Sequence, residues 1–141
     1  MKKISEVMSR GVETVRPDDT LRSAAEKMKV LDVGVVPVCD GVRVLGMVTD
    51  RDLVVRGLAD GRSPDTRVSE VMTKDVAWCR EDEDVDACAR KMKEKQIRRL
   101  IVLDADKKLV GIVSLGDLSQ EVNRKTSGEV LKEVSEPAAI H

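Results

Sequence analysis

Two short patterns in this 141-residue chain could do chemistry, and they are one pattern repeated. Thr49-Asp50-Arg51-Asp52 and Ser114-Leu115-Gly116-Asp117 each set a hydroxyl three residues ahead of a carboxylate. Each follows a β-rich run and opens a helical pattern, so both fall where a strand passes into a helix. A helix N-terminus offers unpaired N–H groups and a partial positive charge that suit a phosphate. A first-turn carboxylate can accept two hydrogen bonds from a vicinal diol, of which ribose is the common phosphate-bearing example. The same residue types also make plain N-caps, with the aspartates complementing the helix dipole. The spacing leaves both roles open.

Other chemistries lack their residues. The only histidine is His141, the last residue, which takes the usual general base and metal ligand out of the interior. Cys39, Cys79 and Cys88 are odd in number and have no CxxC spacing, so buried free thiols are expected rather than disulfides or a zinc site. No nucleophile stands beside a base and there is no P-loop, so catalytic residues, a metal and a required cofactor are all expected to be absent. With 25 basic against 26 acidic side chains there is no field to gather nucleic acid or an anionic membrane. No Phe or Tyr is present to form stacking platforms for a single strand. Met1-Lys2-Lys3 has no apolar run behind it, and no stretch reaches the roughly 20 apolar residues of a membrane span. A cytoplasmic protein is expected.

The elements that must position the two patterns are themselves duplicated. Ile4-Ser5-Glu6-Val7-Met8 returns as Val68-Ser69-Glu70-Val71-Met72, an offset of 64, and Gly46 to Leu53 returns as Gly111 to Leu118, an offset of 65. A single insertion near residues 104 to 107 reconciles the two. Within each copy a short strand is predicted first, at 13–15 and 77–79. A helix follows, capped by Thr20 or Asp19 in one copy and Asp84 in the other, with apolar stripes Leu21, Ala24, Ala25, Met28, Leu31 and Val85, Cys88, Ala89, Met92. Two strands then form a hairpin, through Asp40-Gly41 in the first copy, and a second helix begins near Asp50 and Leu115. The fold class is α+β, built from two β-α-β-β-α repeats whose short sheets are flanked by helices. Each half is near the lower size limit for its own core, so one shared core is expected. The predicted division is repeat 1 over 1–60, a linker at 61–67, repeat 2 over 68–120 and a partly helical tail over 121–141. In that tail Val122, Val130, Leu131 and Val134 follow one another, with a break at Gly128 and fraying from Pro137.

The ordered set of motifs resembles a tandem CBS (cystathionine-β-synthase type) domain pair, or Bateman module, of the stand-alone prokaryotic kind. It comprises Ser-Glu-Val-Met, Pro17-Asp18-Asp19-Thr20-Leu21, Val35-Val36-Pro37-Val38, Thr49-Asp50-Arg51-Asp52-Leu53, Arg98-Arg99-Leu100-Ile101-Val102 and Ser114-Leu115-Gly116-Asp117-Leu118, and it covers about residues 4 to 120. The resemblance implies two repeats packed with pseudo-two-fold symmetry. It implies clefts for an adenosine compound: AMP, ADP, ATP or S-adenosylmethionine. Carried over residue by residue, the first site comprises Thr14, Val15, Val35, Val36, Pro37, Thr49 and Asp52, with Asp52 on the ribose. The second comprises Cys79, Arg99, Leu100, Ser114 and Asp117. Arg98, Arg99 and Arg51 are the nearest basic residues for phosphate. Trp78 stands where the first copy has Thr14, and Ile101 where it has Pro37, so the indole either stacks on a purine or fills the cleft. The implied role is a regulatory sensor that is not an enzyme and forms a homodimer through the second helices, by way of Leu53, Val54 and Leu58, with an unidentified protein target. The alternative is a dimerisation or protein-interaction module with empty clefts.

Overall fold

Asp40-Gly41 turns the chain back as its residue types require: Gly41 takes φ +64°, with open space where a Cβ would stand. The flanking runs pair antiparallel as β1 (Val35–Asp40) and β2 (Arg43–Thr49). Val35 lies opposite Thr49 and Val36 opposite Val48, and the register shifts between Val38 and Cys39. The structure is a computed structural model that describes residues 2–41 and 43–125, with the backbone alone for 122–125. The readings that fall on Val42 and on the tail beyond Lys125, including Gly128, Val130, Leu131, Val134 and the fraying end, lie outside the described residues.

Helix α1 (Leu21–Leu31) begins at Thr20, whose hydroxyl accepts from the Ser23 N–H at 3.0 Å. It buries Leu21, Ala24 and Met28, whereas Ala25 and Leu31 are exposed, because a two-stranded sheet covers only a narrow stripe of the helix. The second copy forms a three-stranded sheet in the order β3 (Trp78–Arg80), β4 (Arg99–Leu103), β5 (Leu109–Ser114), with β3 parallel to β4. Its helix α2 (Val85–Lys95) buries Val85, Cys88 and Met92. Asp84 holds the N-cap position but makes no capping bond; its carboxylate takes Lys3 Nζ at 3.2 Å.

The strand predicted at 13–15 is reduced to a single parallel bridge between Val15 and Val38. Proline explains the difference. In the second copy Glu81 N–H reaches the Leu103 carbonyl at 3.0 Å, and Pro17, its counterpart, has no N–H to give. After β2 the chain helicates at Asp50 and widens to a π-helix over Asp52–Leu58, with Ala59 N–H on the Val54 carbonyl at 2.8 Å. After β5 it forms α3 (Leu115–Lys125).

The chain divides into two compact units that exchange segments between the sequence copies. One takes residues 2–11, 77–106 and 110–125; the other takes 12–41, 43–76 and 107–109. In place of the single shared core expected from size there are two. The first joins Ile4 and Met8 to Cys79, Val85, Cys88, Met92, Leu100, Val102, Val113 and Leu118. The other joins Val68 and Val71 to Val15, Leu21, Ala24, Met28, Val36, Val38 and Val48. Backbone bonds fix both exchanges in the same way: Ile4 N–H to the Glu83 carbonyl at 2.9 Å, and Val68 N–H to the Asp19 carbonyl at 2.7 Å. Residues 61–67 hold the start of α1, where Leu21 N–H donates to Thr66 O at 2.9 Å and Arg22 N–H to Pro64 O at 3.1 Å. Neither core is complete without a segment from the other copy.

Candidate functional site

Both hydroxyl–carboxylate pairs sit at one end of their unit's sheet. In the first-copy unit, Thr49 ends β2 opposite Val35, the first residue of β1, and Asp50 N–H donates to the Gly34 carbonyl at 2.9 Å. Thr49 N–H donates to Asp52 Oδ2 at 3.0 Å, and Asp52 N–H donates to Thr49 Oγ1 at 3.0 Å. This is a reciprocal capping box. In the second-copy unit Leu115 N–H meets the Arg98 carbonyl at 2.7 Å, Ser114 N–H meets Asp117 Oδ2 at 3.1 Å, and Asp117 N–H meets Ser114 Oγ at 3.0 Å. The capping role is therefore real at both ends. It leaves each carboxylate's other oxygen, Oδ1, without a hydrogen bond among the described residues.

Asp52 is buried, at 9% exposure, and Asp117 is half-buried. A third bond reaches Asp52, from Thr73 Oγ1 to Oδ2 at 3.5 Å. Thr73 also lines an open cleft of about 650 Å³ with Arg56, Arg62, Met72 and Lys74, so the carboxylate lies one side chain away from that cleft. Thr14 is half-buried, and its carbonyl accepts from Lys27 Nζ at 2.8 Å. Trp78, its counterpart, has its carbonyl held by Lys91 Nζ at 2.9 Å. The indole is 39% exposed, beside Ile101, which is buried. Arg51, Arg98 and Arg99 are exposed.

The other expected site residues face inward. Val15, Val36, Cys79 and Leu100 belong to the two cores and Pro37 is buried, while Val35 is half-buried at the sheet end. Sequence reasoning missed Thr73, Lys27 and Lys91. The signal for all three lay in the repeat, because Lys27 and Lys91 are separated by the repeat offset and Thr73 answers to Ser9. Among the described residues no group of three or more His, Cys, Asp or Glu is placed to hold a metal, and no helix is long and apolar enough to cross a membrane.

The three thiols are free and buried. Burial raises Cys39 above the ordinary thiol range. The hydrogen bond with Cys88, followed by burial, raises Cys79, and the same bond draws Cys88 down. A raised Cys39 contributes stability that is complete below about pH 8.5 and is lost as pH rises through the folded value. With no tyrosine in the chain, only Cys79 and Cys88 share that window before the lysines begin, and the Cys39→Ala comparison isolates the Cys39 share. The urea midpoint should therefore fall between pH 8 and 10, and fall less in Cys39→Ala. Parallel curves for parent and variant would remove Cys39 from this account.

The CBS domain profile matches residues 4–57 and 68–124. Over 136 residues the chain is 37% identical to the CBS domain-containing protein YhcV of Bacillus subtilis (strain 168), covering 96% of each. Among solved structures, CBSX2 in complex with AMP superposes with a TM-score of 0.76 at 25% identity, covering 89% of this chain and 99% of that one. The CBS domain pair of protein MJ0100, in complex with 5′-methylthioadenosine and S-adenosyl-L-methionine, gives 0.78 at 26% identity, covering 89% and 98%.

Proposed function

Because the chain belongs to the CBS domain family, a family of regulatory modules, we propose that it is a non-enzymatic sensor that binds an adenosine-containing ligand, AMP, ADP, ATP or S-adenosylmethionine, at its two sheet ends. The observation that carries the reading is the pair of capping boxes: each leaves one carboxylate oxygen, Asp52 Oδ1 and Asp117 Oδ1, clear of the bonds that fix the helix start. A ribose diol is the ligand group that such an oxygen suits. Neighbours of the same fold crystallised with AMP, or with 5′-methylthioadenosine and S-adenosyl-L-methionine, support the choice of an adenosine compound. Val15, Val36, Pro37, Cys79 and Leu100 form the wall behind the base, and Thr14, Val35, Thr49, Ser114, Arg98 and Arg99 stand round the opening. Binding regulates by favouring one conformation or partner over another, to the extent of its differential affinity.

The protein works as a cytoplasmic homodimer in this reading. Val54, Val55 and Leu58 on the π-helix are 56%, 45% and 74% exposed, an apolar face that suits a second copy. Leu53, first placed in that contact, packs against its own unit's core, and Val55 takes its place. The same face is what favours the alternative, a ligand-free dimerisation or interaction module. Calorimetric titration of the purified protein with AMP, ATP and S-adenosylmethionine separates the two. Saturable heat and a raised melting temperature with at least one of them are expected. A dimer by gel filtration that gives neither leaves the scaffold reading standing.

A further inference from the structure

The two sheet ends share one backbone plan and differ in charge. Gly34 and Arg98 occupy equivalent places, since each presents its carbonyl to the first N–H of the following helix. Val35 and Arg99 come next in the two copies. In the second-copy unit two consecutive exposed arginines thus stand at the sheet end where the Ser114–Asp117 box opens the following helix. In the first-copy unit the same place holds a carboxylate: Asp50 Oδ2 lies 2.9 Å from where a Cβ on Gly34 would be. Asp50 is fixed there by the Arg51 N–H on its Oδ1 at 2.8 Å. The lysines do not offset this difference, because Lys27 and Lys91 do the same task at Thr14 and Trp78. One end is net positive around its diol-facing carboxylate and the other, with Asp50, Arg51 and Asp52, is net negative.

We propose that the ends select different adenosine compounds, the second-copy unit a phosphorylated one and the first-copy unit one that is uncharged or cationic at the 5′ side. The proposal rests on the nucleoside reading above and adds to it a division of ligands. Arginine suits phosphate through its paired, fixed donors, and a carboxylate repels phosphate at short range while attracting an ammonium or sulfonium group. The ends therefore do not compete for one ligand, and the chain reports two metabolite classes at once.

Trp78 is the chain's only tryptophan and lies at the second-copy end, so its fluorescence reports that end alone. AMP is expected to change Trp78 emission and to titrate one site per chain, whereas S-adenosylmethionine and adenosine give heat with little change in emission. Arg98→Ala with Arg99→Ala, both at exposed positions, should weaken AMP binding by about tenfold or more and leave S-adenosylmethionine within about twofold. Asp50→Asn should admit a second AMP and weaken S-adenosylmethionine. Two equivalent AMP sites in the parent, or arginine variants that lose AMP and adenosine alike, would overturn the division while leaving nucleoside binding intact. Absence of heat and emission change with every compound would overturn both.

Discussion

Gly111→Ala is expected to cost about 1–3 kcal/mol of stability, the range for an overpacked interior, and to appear as a lowered urea midpoint at unchanged slope. A Cβ at Gly111 would stand 2.6 Å from Met8 Sδ and 2.7 Å from the Ser9 carbonyl oxygen. The methionine is flexible and can move. The carbonyl cannot, because Ser9 and Ile112 exchange both backbone bonds, at 2.8 and 3.1 Å. The strain therefore falls on the contact that joins the exchanged N-terminal segment to β5. Gly46→Ala should behave alike, since its Cβ would run into the Thr73 carbonyl, held by the Met47 N–H at 2.9 Å. Adding Met8→Ala to Gly111→Ala separates the two obstacles. Met8 is itself a core side chain, so the reference is Met8→Ala alone: if side-chain crowding were the whole cause the double variant would match that midpoint, and a further loss is the expected result.

That contact also marks the limit of what the sequence made legible. Repetition revealed the elements, because turn and cap chemistry is local: Arg16 N–H on Asp19 at 2.8 Å and Arg80 N–H on Glu83 at 2.6 Å repeat one turn. The exchange of segments was not legible. Ile4 and Val68 are apolar residues with no local sign of which sheet they will cover, and the Glu83 and Asp19 carbonyls that fix them are remote in sequence. The loss of a strand at Val15 was readable in principle from Pro17, but only once the register against β1 is known. At the candidate site the hydroxyl–carboxylate spacing declared itself for the same local reason. Thr73 did not, because its contact with Asp52 spans 21 residues. Several residues named for the ligand are also core side chains, because β1 and β4 are buried on both faces, and a continuous apolar run does not say which of its residues back a site.

Asp52→Asn should separate the two tasks of that carboxylate. An amide oxygen can still accept from the Thr49 N–H, so the capping bond survives and the melting temperature should stay close to the parent's. A diol that donates to the remaining carboxylate oxygen would instead meet an NH₂ group, which cannot accept, and would lose the charge. Hydrogen bonds to charged groups are worth about 1.5–3 kcal/mol, so nucleoside affinity at this end should fall by about 10–100-fold. Asp52→Ala removes both tasks and should add about 0.5–2 kcal/mol of lost stability, the ordinary cost of a missing cap. Thr49→Ala tests the converse, since it removes the hydroxyl that accepts from Asp52 N–H and leaves the carboxylate in place. Its stability should drop while affinity falls less than in Asp52→Asn. The same series at Ser114 and Asp117 gives the comparison for the other unit, where the half-buried carboxylate makes a weaker cap loss the expected outcome. An Asp52→Asn protein that binds every adenosine compound as tightly as the parent would confine Asp52 to the helix start, and the diol would have to be held elsewhere.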